Sequence, residues 1–127
     1  MSALVLDAGA FVAVERNDRT MMGRLRIAQR SNMALRTNAI VISQVWRDPA
    51  GRQVQLARLL PGVDVRAVDE SLGREAGVLI GHARTDDPID ATVVLIADHG
   101  DRILTSDPDD INHLATAAGK RVAVVAC

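Results

Sequence analysis

Three aspartates, Asp7, Asp90 and Asp107, occupy the places in this 127-residue sequence where chemistry is most easily built. Asp7 directly follows the apolar run Ala3–Leu6, and Asp107 closely follows the run Arg102–Thr105; both runs read as strands. Asp86, Asp87 and Asp90 precede or open a helical stretch leading into the second run, and Asp109 and Asp110 stand just beyond Asp107. Carboxylates distant in sequence but gathered at one sheet edge repel one another unless a cation neutralises them. Hard oxygen ligands with open positions suit Mg2+ or Mn2+, and such ions activate water for attack on a phosphodiester. Each aspartate also has a plainer role open to it. Asp between a strand and a helix is a common N-cap, and Asp69, Asp90 and Asp107 could each be only that. Asp7 fits the cap role least, because it ends an apolar strand that otherwise runs into the core.

The elements that must position these residues alternate between short β-rich runs and longer helical patterns. After Ala3–Leu6 a helix is expected, and Arg19–Arg30 spaces Met22, Leu25, Ile27 and Ala28 near helical periodicity. Residues 39–42 are β-branched and predict a strand, leading into a short helix over 43–47. Residues 53–60 predict a helix stopped by Pro61-Gly62, and residues 63–68 alternate as a strand does. Asp69 caps the next helix, with Leu72, Ala76, Leu79 and Ile80 on one face. Pro88 suits the first turn of a helix through 97. Arg102–Thr105 is a strand, Pro108 opens another helix, Gly119 closes it, and residues 122–125 form the last strand. Strands alternating with helices predict an α/β domain with a mainly parallel sheet, one domain over 1–127. Ligands of such a sheet bind beyond the carboxyl ends of its strands, where Asp7 and Asp107 fall.

Composition narrows the function classes. The formal net charge is −1, which on its own argues against a strongly basic nucleic-acid binder. The charges are unevenly spread, however. Residues 1–63 hold nine Arg against four acids (+5), and residues 64–127 hold six bases against twelve acids (−6). One cysteine, Cys127, rules out an internal disulfide framework and a cysteine-based zinc site, and fits a cytoplasmic setting. No run is long and apolar enough to cross a membrane, and no basic region precedes the apolar start, so neither a span nor a signal peptide is expected. Phe11 and Trp46 are the only aromatics, too few for a reader that stacks successive bases. Trp46 and the methionines Met21, Met22 and Met33 read as packing residues. His82, His99 and His113 have no ligand spacing.

The opening Val5-Leu6-Asp7-Ala8-Gly9-Ala10-Phe11, the Asp90-Ala91 pair and Ile103-Leu104-Thr105-Ser106-Asp107-Pro108-Asp109-Asp110 together resemble a PIN domain. More narrowly, the chain resembles VapC-type ribonuclease toxins of bacterial toxin–antitoxin pairs, in the expected order from residue 3 to 125. The resemblance implies a three-layer α/β/α sandwich and an acidic cluster, Asp7, Asp90 and Asp107, that holds Mg2+ or Mn2+. Asp87, Asp109 and Asp110 are candidate auxiliary ligands. It also implies hydrolysis of RNA, a homodimer, and inhibition by a cognate antitoxin. One position departs: where the family commonly has a Glu at the start of the helix after the second strand, this chain has Gln44. Gln offers a neutral oxygen and no charge. Glu15 is a candidate compensating acid, although exposed helical acids are usually only solvated.

On this reading a water activated by the metal attacks phosphorus in line while Asp7, Asp90 and Asp107 hold the ion. Arg47 and Arg52, near Gln44 in sequence, are candidates to position the substrate, and Arg24, Arg26 and Arg30 could extend a phosphate track. The competing reading is a catalytically impaired PIN domain that binds RNA or a protein partner, motivated by Gln44. A phosphoacceptor receiver fits poorly, since Ala8-Gly9 follows Asp7 and Lys120 is the only lysine. A haloacid-dehalogenase-like phosphatase fits no better, with Gly9 where its second Asp should stand.

Overall fold

A computed structural model describes residues 2–48 and 50–127. Five strands form one sheet: β1 (Ala3–Leu6), β2 (Ala34–Asn38), β3 (Val63–Arg66), β4 (Arg102–Thr105) and β5 (Ala123–Ala126). All neighbours are parallel, in the order β3-β2-β1-β4-β5. Every residue of central β1 is buried, as expected for a parallel strand covered on both faces. Parallel pairing demands crossovers, and helices supply all of them. The helices α1 (Ala8–Glu15) and α2 (Arg19–Arg30) join β1 to β2, and α3 (Ala39–Val45) and α4 (Val54–Leu59) join β2 to β3. A pair, α5 (Glu70–Ala83) and α6 (Pro88–Ile96), crosses from β3 to β4, and α7 (Pro108–Ala117) joins β4 to β5.

Right-handed crossovers that run outward from β1 in opposite directions place their helices on opposite faces of the sheet. Accordingly α1 packs against α2, α3 and α4, while α5, α6 and α7 pack against one another. The result is the three-layer α/β/α sandwich expected from the sequence. The core lies on both faces of β1 and β4, with Phe11, Leu6, Met21, Leu56, Ile103 and Ile111 wholly enclosed. The chain leaves β1 toward β2 on one side and returns from β3 to β4 on the other. The topological switch point therefore lies between β1 and β4, at whose carboxyl ends a crevice forms.

The second strand lies five residues before its expected place. Residues 39–42 belong to α3, and the strand is Ala34–Asn38. Asn38 turns the chain: its Oδ1 accepts from the N–H groups of Ile40 and Val41 and caps α3. The strand carries Arg36, Thr37 and Asn38, all buried, a composition that looks like a loop because its polar groups are satisfied from elsewhere in the fold. Arg36 pairs with Asp101 at 3.2 Å, Asp64 at 3.3 Å and Asp98 at 3.4 Å, and donates to the Ile96 carbonyl at the end of α6. Thr37 donates to the Leu6 carbonyl. Smaller boundary shifts accompany it. The helix expected over 53–60 is α4 followed by a 3-10 turn, Leu60–Gly62; β3 stops at Arg66, and β5 runs one residue later than expected. Gly119 follows the end of α7 at φ +67°, the left-handed conformation that ends helices.

Candidate metal-binding site

The carboxyl ends of β1 and β4 bring Asp7 and Asp107 to the switch point. Asp7 is 4% exposed, and both of its oxygens are engaged. Its Oδ1 accepts from the Ala8 N–H at 2.8 Å, and its Oδ2 accepts from Thr105 Oγ1 at 2.7 Å. Thr105, wholly buried at the end of β4, also accepts from the Asp107 N–H at 3.0 Å. One hydroxyl thus ties the Asp7 carboxylate to the backbone of the turn that carries Asp107. Asp107 occupies the N-cap position of α7, yet its carboxylate makes no cap hydrogen bond. That side chain is exposed and unspent.

The first turn of α6 supplies the remaining acids. Asp87 is the cap, accepting from Ile89 and Asp90 N–H groups at 3.0 and 3.1 Å. Asp90 therefore has no cap role; it is 8% exposed, and its carboxylate accepts no hydrogen bond among the described residues. The turn is held in place by Asn38, whose Nδ2 donates to Thr92 Oγ1 at 3.0 Å. Burial pushes the Asp90 carboxyl up to about 7, with repulsion from Asp87, Asp7, Asp107 and Asp110 adding to the shift. Asp7 is raised by its own burial, opposed by the bonds from Thr105 and Ala8 and reinforced by Asp107 and Asp87. Mutual repulsion of this kind shows that Asp7, Asp87, Asp90, Asp107 and Asp110 share one electrostatic environment. Thr85, Asp86, Asp87, Asp90 and Asp110 line an acidic cleft of about 160 Å³ beside His113.

No ion pair among the described residues reaches any of those five acids. The contrast with the amino ends of β1 and β4 is direct. There the buried Asp101 is neutralised by Arg36 and accepts from Ala3 and Asp98 N–H groups at 2.7 Å each. Among the described residues, no three acids, thiols or imidazoles are close enough to ligate one ion as they stand. The donor set nonetheless suits a hydrated hard cation, since Mg2+ keeps several waters and takes one or two carboxylates directly.

The other sequence candidates lie elsewhere. Asp109 is exposed on α7. Gln44 lies near the end of α3 rather than at its start, because the second strand ends earlier than expected; its side chain is exposed. Arg47 is occupied, donating to the Ser43 and Trp46 carbonyls at the end of α3. Arg52 is exposed and forms no ion pair among the described residues. Glu15 does not join the acid group: its carboxylate accepts from Gln53 Nε2 and clips α1 to the loop before α4. Arg24 donates to the Ala126 carbonyl, and Arg26 and Arg30 are exposed.

Thr105 and Gly9 were not among the sequence candidates. A Cβ on Gly9 lies 2.7 Å from Ser106 Cβ and Oγ and 3.0 Å from its backbone N, so glycine lets α1 approach the Ser106–Asp107 turn. The signal for both was present in the sequence, as the small residue after Asp7 and the buried-strand threonine before Asp107.

No family model and no curated protein matches this sequence. The chain is similar in structure to VapBC2 from Rickettsia felis, solved bound to a DNA fragment from its promoter. The TM-score is 0.72 over 98% of each chain, at 11% sequence identity. The likeness is one of fold. It agrees with the sandwich implied by the PIN resemblance, and no helix among the described residues is long and apolar enough to cross a membrane.

Proposed function

We propose that this chain is a divalent-cation-dependent endoribonuclease of the VapC type, the toxin of a toxin–antitoxin pair. The observation that carries the proposal is the acid group at the switch point, five carboxylates without a basic partner, one of them held near pH 7. Two of the five, Asp7 and Asp90, are buried, and buried carboxylates without a counter-charge are costly and cluster at sites where a cation or a proton transfer uses them. Asp7, Asp90 and Asp107 would hold the ion, directly or through its waters, with Asp87 and Asp110 beside them; a bound cation would supply an activated water and neutralise charge on the phosphate.

The chain's own residues set the rest. Thr105 and the Ala8 N–H fix both oxygens of Asp7 in one orientation. Asp87 and Asn38 hold the first turn of α6, and with it Asp90. Without a cation, Asp90 keeps its proton to near-neutral pH, and losing that proton prepares the site for a positive ion. The fold likeness to a chain of a VapBC2 assembly supports an antitoxin partner, and the PIN resemblance supports a homodimer.

The test is purified chain incubated with single-stranded RNA, with Mn2+ or with chelator, beside Asp7→Asn. Cleavage that needs the ion and disappears in Asp7→Asn is expected. RNA binding without cleavage under every condition gives instead the impaired binding module.

A further inference from the structure

A cleft of about 490 Å³, larger than the acidic one, lies beside it. It opens on the other side of Asp7, along the outer face of α1, and its volume is within the roughly 300–1,000 Å³ of small-molecule sites. Ala8, Gly9, Val12 and Ala13 form its floor, and Ser106, Arg16 and the free thiol of Cys127 border it. It shares its boundary with the acid group. Ala8 supplies the N–H that binds Asp7, and Ser106 is the residue between Thr105 and Asp107.

The floor is small and apolar, without a side chain that would hold a planar ring away from the helix. Ser106 is exposed and its hydroxyl has no hydrogen-bond partner among the described residues. Arg16 is exposed, and its guanidinium forms no ion pair or hydrogen bond among the described residues. The one acidic side chain in the lining, Asp18, is spent on capping α2 through the Met21 N–H at 2.9 Å. Nine residues along a helix correspond to about 13 Å. Arg16 is thus too far from Asp7 to touch a phosphate at the acid group, and is placed for a neighbouring one.

We infer that this cleft is a nucleotide subsite. It seats the nucleotide flanking the scissile phosphate against Ala8, Val12 and Ala13, with Arg16 on the next phosphate and Ser106 toward the sugar or base. The inference rests on the ribonuclease reading and gives that site a polarity, with the acid group at one end of the bound strand and Arg16 at the other. The absence of aromatics from the lining makes the contact one of shape and phosphate charge rather than of stacking.

The test uses the full chain, a single-stranded oligoribonucleotide, and two variants, Arg16→Ala and Ala13→Leu. Equilibrium binding is measured in the Asp7→Asn background so that cleavage does not intervene. Arg16→Ala is expected to weaken binding severalfold and to reduce the slope of log affinity against log salt by about 0.7, the share of one phosphate contact on a single strand. Ala13→Leu fills the floor and is expected to raise KM about tenfold while leaving kcat near the parent value, the mark of binding shared by ground and transition states. Arg16 has no side-chain partner to lose among the described residues, so its variant keeps the fold even if Ala13→Leu does not. Parent protein that cleaves RNA, with affinity and salt slope unchanged in Arg16→Ala, overturns the subsite and leaves the nuclease standing. Parent protein that neither binds nor cleaves RNA overturns both.

Discussion

Replacing Asp90 by Asn should make the cation-free protein more stable at pH 8, although it removes a candidate ligand. Asp90 is 8% exposed, its carboxylate accepts no hydrogen bond among the described residues, and it sits among four other acids. Its folded pKa of about 7 lies above the ordinary 3.8 of an unfolded aspartate. The folded state therefore binds the proton more tightly, and stability falls as pH rises from about 4 to about 7. Three units at 1.36 kcal/mol each set a ceiling of about 4 kcal/mol; water entering the cleft and local relaxation bring the expected penalty to about 2 kcal/mol. Asn has nearly the same shape and does not titrate. Urea denaturation from pH 4 to pH 9 in chelator should show parent and variant converging at the acid end. The variant should lead by about 2 kcal/mol above pH 7. A variant less stable than the parent at pH 8, or a difference independent of pH, refutes the electrostatic account of the site.

Three further substitutions probe the parts that hold the site. Thr105→Val keeps the shape of a wholly buried side chain but removes the bonds to Asp7 and Asp107; urea denaturation should show a loss of about 1–3 kcal/mol, with Thr105→Ser near the parent. Gly9→Ala ordinarily favours a helix by nearly 1 kcal/mol, yet here its Cβ meets Ser106 at 2.7 Å, so a net loss of about 1–2 kcal/mol is expected; a stabilised variant contradicts the close approach. Arg36→Ala leaves Asp101 buried without its counter-charge and should cost about 3–5 kcal/mol, read as a lowered denaturation midpoint.

The strands that read clearly from sequence were those whose burial is apolar. Ala3–Leu6 and Arg102–Thr105 show their role directly, and Pro88 and Pro108 mark the helices that follow the site. The β2 strand was misplaced because Arg36, Thr37 and Asn38 are buried through partners 28 to 65 residues away for Arg36, and 31 and 54 residues away for the other two. No local pattern encodes partners that distant. The same error put Gln44 at a helix start, and Arg36, one of the nine arginines behind the basic balance of residues 1–63, is consumed by the core. The acids Asp7, Asp87, Asp90, Asp107 and Asp110 are brought into one environment as their places at strand and helix ends imply. Sequence could not distinguish capping from free carboxylates: Asp87 is spent on the turn of α6, whereas Asp107 is not.

Arg36 has a consequence for how the protein answers to its solution. It is a cation tethered by the chain, so its concentration at Asp101, Asp64 and Asp98 is fixed and no chelator can remove it. The acids beyond the carboxyl ends of β1 and β4 have no such tether. If the acid group takes a cation as proposed, a difference in unfolding midpoint between protein in chelator and in Mn2+ reports on that edge of the sheet, and its dependence on free ion yields the affinity there without an activity assay. The edge held by Arg36 is a silent reference within the same molecule.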